Sequence, residues 1–231
     1  MSIASARLPR IGLFGGTFNP IHLGHLRAAE EVREALDLER VLFIPSRIPP
    51  HKRPDSSDPI APTEERLEWV EHPIRAHDRV FVDRIEIDRT CLSYLVDTLA
   101  EIREREVGIH RTVFIVGEDA FAEMGDWRAP DQIFSTTDLA VMTRPPGRMK
   151  HLQEGIPSVV RNAFEIAEDG QSAVHREAQT RIELVSISAL DISSSKIREA
   201  RREGRSIRFL VPETIRAVSY THLTLPTILL V

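Results

Sequence analysis

The stretch that decides the fold reads Ile11-Gly12-Leu13-Phe14-Gly15-Gly16-Thr17-Phe18-Asn19-Pro20-Ile21-His22-Leu23-Gly24-His25. Its first part, residues 11–14, is a short apolar run that ends in a glycine pair. This predicts a buried strand entering a tight loop. Over residues 23–36 the period changes. Leu26, Ala29, Val32 and Leu36 recur at helical spacing, with Glu30, Glu31, Arg33 and Glu34 between them. Residues 41–44, closed by Pro45, form a second apolar run. Strand, loop, helix and strand in this order make a βαβ unit, which requires parallel strands.

The alternation continues outward. Residues 80–87 read as a strand and 94–102 as a helix. Further strands are predicted at 113–116, ending at Gly117, at 139–142, ending near Pro145-Pro146, and at 182–187. A last helix covers 194–202 before Gly204. Such alternation predicts a doubly wound α/β domain, a parallel sheet with helices on both faces. Residues 49–62, proline-rich and polar, read as a mobile surface segment, and residues 145–155 as a basic loop. Neither marks a boundary between domains, so residues 1–218 are expected to form one domain. Residues 219–231 hold no acidic or basic side chain apart from His222 and end in an apolar, β-prone run. A genuine final strand is one reading. The abrupt loss of charge favours the other, that this tail is not native.

With 231 residues the chain is long enough to bury a sizeable core without disulfides or metal. Its apolar and charged fractions, 42% and 28%, are those of an ordinary globular protein. A formal net charge of -5 argues against a general nucleic-acid binder. Cys91 is the only cysteine, which suits a reducing cytoplasm. No apolar run is long enough to cross a membrane, and residues 1–10 lack a signal-peptide core. The expectation is a cytoplasmic protein without membrane or nucleic-acid partners. Composition leaves room for a homo-oligomer and does not fix its state.

Two motifs carry chemistry. Gly15 and Gly16 let backbone approach a ligand closely, and the helix that follows offers free N–H groups and a positive dipole end. His22 and His25, three apart, share a face of its first turn, with Gly24 between them leaving room for a nucleotide. Two imidazoles there can donate to phosphate oxygens. They could also serve zinc, but no third ligand stands nearby. The loop is neither a P-loop nor a GxGxxG turn. The second motif, Asp191-Ile192-Ser193-Ser194-Ser195-Lys196-Ile197-Arg198, precedes the last helix. One serine suffices as an N-cap. Three make a second anion cradle, within reach of the forked Arg198. Two cradles at the carboxyl ends of parallel strands should converge on one crevice, as a polyphosphate such as that of ATP requires.

With both motifs quoted, the chain resembles the bacterial nicotinate mononucleotide adenylyltransferases, of the HxGH nucleotidyltransferase superfamily. Residues 15–25 look like the family signature, and residues 192–198 like its ISSTxxR-type motif. Pro49-Pro50-His51-Lys52, Ser93-Tyr94-Leu95-Val96-Asp97-Thr98-Leu99, Gly117-Glu118-Asp119 and Trp127 match further family elements, and the likeness spans roughly residues 11–217. It implies a Rossmann-like fold of nucleotidyltransferase type. It also implies transfer of AMP from ATP to nicotinate mononucleotide, giving deamido-NAD and pyrophosphate, with Mg2+ held mainly by the ATP phosphates. His22, His25, Arg198 and Lys52 would be the catalytic residues. Gly15, Gly16, Thr17, Phe18, Gly24, Gly117, Asp119, Ile192, Ser193 and Ser194 would bind ATP. Ser93, Tyr94, Leu95 and Trp127 would bind the mononucleotide. Two departures fall on the pyridine side: Leu95 stands where the family has threonine, and Cys91-Leu92 where it favours Gly-Pro. The alternatives are nicotinamide mononucleotide or phosphopantetheine as acceptor, or a nucleotide-binding regulator without turnover.

Overall fold

Consecutive residues of the central strands are buried on opposite faces. In β1 (Arg10–Gly16), Leu13 packs into one core and Phe14 into the other. β2 (Arg40–Pro45) sends Leu42 and Ile44 to the first core, and Val41 and Phe43 to the second. This period of two, with no polar face, is what a sheet covered on both sides demands. The computed structural model describes residues 8–50, 60–106, 108–144, 149–188 and 190–215. Lys52 and the 219–231 tail lie outside the described residues.

The chain continues through α1 (Leu23–Ala35), α2 (Thr63–Ile74), β3 (Val80–Val82), α3 (Leu95–Glu106), β4 (Arg111–Gly117), α4 (Glu118–Glu123), α5 (Pro130–Thr136) and β5 (Asp138–Thr143). It ends with α6 (Ser158–Arg161), β6 (Phe164–Ile166), β7 (Ser172–His175), β8 (Arg181–Ser186) and α7 (Ser194–Arg202). The eight strands form one sheet in the order β3-β2-β1-β4-β5-β8-β7-β6. Strands β3, β2, β1, β4, β5 and β8 are parallel. α1, α2 and α7 cover one face; α3, α4, α5 and α6 cover the other. From β1 the chain winds outward to β2 and β3, then returns to β4 on the opposite side. The switch point between β1 and β4 opens a crevice at the carboxyl ends of the strands.

The doubly wound reading holds for these six strands. The sheet as a whole is mixed, because β6 and β7 add an antiparallel edge. They are three and four residues long, too short for a period to show. The strand expected over 80–87 stops at Val82. There Asp83 Oδ1 accepts the Ile85 N–H at 3.0 Å, an Asx turn that leads the chain away from the sheet. The helix expected over 94–102 runs one turn further, as α3.

Candidate active site

His22 is the N-cap of α1, with extended backbone. Its Nδ1 accepts the His25 N–H at 3.3 Å, and His25 Nδ1 accepts the His22 N–H at 3.3 Å. The two imidazoles thus form a reciprocal capping box and satisfy two orphan donors of the helix. Their rings stack, with centroids 3.6 Å apart and 19° between planes. Burial, and then the charge of Arg144, pushes His22 down to about 4. Burial, His22 and Arg144 hold His25 well below its ordinary value. Both rings are therefore neutral at pH 7. With each Nδ1 accepting, the proton of each sits on Nε2. The pair is a double hydrogen-bond donor at a helix start. A Cβ on Gly24 would lie 3.0 Å from His22 Nδ1, so this glycine makes room for the His22 ring itself.

Behind His25 stands a wall of aromatic rings. Phe18 meets it edge-on at 5.2 Å, and Phe14 at 6.1 Å. Phe18, expected to bind ATP, is buried in the core, at a positive φ of 46°, and lines neither site cavity. The structure gives its side chain a packing position against His25. The loop that follows Phe18 carries a cis Asn19-Pro20 bond.

At α7 each serine has its own partner. Ser193 is the N-cap and accepts the Lys196 N–H at 3.2 Å. Ser194 Oγ donates to the Pro20 carbonyl at 2.8 Å, and Ser195 Oγ accepts from Arg198 Nη2 at 3.2 Å. Arg198 Nη1 donates to the Asn19 carbonyl at 2.5 Å. These bonds tie the two sequence motifs together, while Ser193, Ser194 and Arg198 line neither of the cavities beside them.

Two cavities flank the switch point. One, of about 190 Å³, is lined by Phe14, His22, Gly24, His25, Gly117, Ile192 and the loop around Ser188. Arg144, exposed just past β5, completes it. The other, of about 250 Å³, is lined by Ser93, Tyr94, Leu95, Phe114, Trp127 and Arg128, with Glu86 and Ser46. Gly15, Gly16 and Thr17, expected on the ATP side, line this second cavity. Alternation turns Phe14 to one cavity and Gly15 to the other, and Gly16 and Thr17 join Gly15 where the strand ends. Asp119 lies exposed in the first turn of α4 and lines neither cavity, while Gly117 is the N-cap of that helix. Tyr94 and Leu95 stand at the start of α3, where the Tyr94 N–H donates to the Leu92 carbonyl at 3.0 Å and the Asp97 and Thr98 N–H groups donate to the Tyr94 carbonyl, each at 3.2 Å.

Four contributors escaped the sequence reading. Arg144 had a signal, a basic residue at the carboxyl end of a parallel strand. Glu86 is buried, accepts from Thr98 Oγ1 at 2.7 Å, and has its pKa raised by that burial. Arg128 lies over the Tyr94 ring. Arg66, only 1% exposed, donates to the carbonyls of Thr17 (2.8 Å), Ser46 (2.7 Å), Ala61 (3.0 Å) and Arg47 (3.1 Å). Burial lowers its pKa to about 10, so it stays charged. Its partners are the loops that wall the second cavity.

Among the described residues no group of three or more His, Cys, Asp or Glu could hold a metal ion. The lining of the histidine cavity includes no carboxylate, and its imidazoles are donors on their unbonded nitrogens. The donor set offers no ligands for a resident cation there. No helix among the described residues is long and apolar enough to cross a membrane.

The family model described as cytidylyltransferase-like matches residues 13–200. The probable nicotinate-nucleotide adenylyltransferase of Geobacter metallireducens is 41% identical over 206 residues, covering 89% of this chain and 93% of the relative. That of Trichlorobacter lovleyi is 41% identical over 210 residues, covering 90% and 95%. Among solved structures, the nicotinic acid mononucleotide adenylyltransferase of Plasmodium falciparum complexed with NaAD superposes with a TM-score of 0.68 at 15% identity, covering 93% of this chain and 97% of that one; this likeness establishes the fold. The chain belongs to the cytidylyltransferase-like family, alongside the bacterial nicotinate-nucleotide adenylyltransferases.

Proposed function

We propose that the chain is a nicotinate-nucleotide adenylyltransferase, moving AMP from ATP to the phosphate of nicotinate mononucleotide. The carrying observation is the pair of cavities flanking the end of β1, one holding His22 and His25 and the other Trp127 and Tyr94. The names of its relatives point to the same reaction.

An oxygen of the mononucleotide phosphate attacks the α-phosphorus of ATP. The bond from that phosphorus to the bridging oxygen breaks, and pyrophosphate leaves. A phosphate monoester is already anionic at neutral pH, so no general base is needed. The residues have only to align the reactants and stabilise developing charge. The Nε2–H groups of His22 and His25 donate to the α- and β-phosphate oxygens. Arg198 and the main-chain N–H of Ser194, whose hydroxyl is spent on Pro20, hold the departing pyrophosphate, with Arg144 adding charge from the facing strand end. Lys52 is assigned to the same task from the segment 49–62. Ile192, Gly24 and Gly117 make the adenosine side from the cavity wall, and Ser193 and Asp119 are assigned to it from just outside that wall. On the acceptor side Trp127 stacks on the pyridine. The main-chain N–H of Leu95, in the first turn of α3, donates to its carboxylate beside the Tyr94 ring, which needs no hydroxyl at Leu95. Mg2+ enters as part of the ATP substrate and neutralises phosphate charge. We assign the activity to the cytoplasm, on the strength of the lone cysteine.

Pyrophosphate release with ATP and Mg2+ tests this. The expected outcome is a strong preference for nicotinate mononucleotide over nicotinamide mononucleotide and phosphopantetheine. A preference for another acceptor would move the substrate; silence with all three would refute an enzymatic role and favour a regulator.

A further inference from the structure

Among the described residues, the acceptor cavity presents two ionisable acid–base side chains besides Tyr94, Glu86 and Arg128. Glu86 is occupied from the protein side, by Thr98 and Ser93 hydroxyls and the charge of Arg89, with Glu101 opposing it. Arg128 is different. Its guanidinium lies 4.7 Å over the Tyr94 ring, and among the described residues it pairs with Asp97 at 3.5 Å, a solvent-exposed contact. Exposed pairs of this kind contribute little, so an incoming carboxylate can replace Asp97. The stacking on Tyr94 fixes the plane of the fork without using its donors.

The backbone beside Arg128 is strained. Ala129 sits at φ 53°, ψ 60°, the left-handed region that a Cβ disfavours, and Pro130 starts α5 directly after it. Such strain in a non-glycine residue persists where the surroundings demand it, and it gathers at ligand clamps. Trp127 and Arg128, the two residues just before Ala129, both line the cavity.

We propose that the Arg128 side chain, laid on Tyr94 at the wall of this cavity, selects an acid over an amide on the pyridine ring. The inference rests on the reaction proposed above and names the group that gives it specificity. A carboxylate gains a charge-assisted, forked hydrogen bond from Arg128, and a carboxamide does not. The buried Glu86 across the cavity opposes the acid only in its ionised form, which burial disfavours.

The test compares kcat/KM for nicotinate and nicotinamide mononucleotides, which share ribose and phosphate and differ in one group. In Arg128→Ala the acid-to-amide ratio is expected to fall on the order of tenfold, through KM for the acid, with KM for ATP unmoved. Arg128→Lys should restore part of the ratio. An unchanged ratio, or an equal loss for both mononucleotides, would overturn the proposal and leave the reaction standing. Failure of the unaltered chain to use either mononucleotide would overturn both.

Discussion

His22 and His25 hold each other. Each Nδ1 is spent on the other's backbone, so a single contact fixes helix start, tautomer and ring plane together. The depressed pKa values carry a stability signature. In the unfolded chain these imidazoles bind protons below about pH 6.5; in the folded chain His22 does so only near pH 4. Stability is therefore full above pH 6.5 and is lost as pH falls from 6.5 towards 4. The slope approaches about 1.4 kcal/mol per pH unit for each histidine. Urea unfolding at pH 7, 6 and 5 should show this fall. His22→Asn, which keeps a capping side chain, should flatten the curve; an unflattened curve would mean that His22 titrates normally. Gly24→Ala places a methyl 3.0 Å from His22 Nδ1. It should lower turnover much more than thermal stability, as melting curves beside steady-state rates would show.

Among the elements, α2 organises the acceptor side through one residue. Arg66 carries a buried charge whose partners, in the described hydrogen bonds, are carbonyls and the Thr63 hydroxyl. Arg66→Ala leaves buried carbonyls without donors and should cost roughly 3 kcal/mol, measured by chemical denaturation. A cost near zero would mean that the loops after β1 and β2 hold themselves. Nothing in the sequence marks Arg66. It lies in an amphipathic run beside Glu64, Glu65 and Glu68, where an arginine ordinarily faces water. The start of α7, by contrast, was legible at Ser193, because capping is a local interaction. The same holds for α1, whose period is set by Ala29 and Val32. Glu86, Arg128 and Arg144 gained meaning only when the topology brought three strand ends and a helix start around two cavities. Local propensity carries no record of that assembly.

At the scale of the molecule, the six parallel strands bring the glycine, histidine and serine motifs to one edge. β1 ends in Gly15-Gly16, β4 ends in Gly117, β5 leads to Arg144, and β8 leads through Ile192 to α7. The winding reverses between β1 and β4, so the helices that follow them diverge and leave the crevice open. The placing of both anion-binding motifs at the carboxyl ends of parallel strands was readable from the order of apolar runs and glycines; the reversal beside β1 was not. The division of the crevice was not, because it depends on which face each residue of β1 turns to. The antiparallel pair β6 and β7 sits at the far edge, three strands from the switch point, and contributes no lining residue to either cavity.

The central claim is that two neutral, stacked histidines stabilise the phosphates as the adenylyl group moves. Single-turnover formation of deamido-NAD by His22→Asn and His25→Ala, with ATP affinity and folding monitored alongside, tests it most directly. Each variant should stay folded and still bind ATP while the transfer rate falls on the order of 100-fold or more. Near-normal transfer in either variant would contradict it.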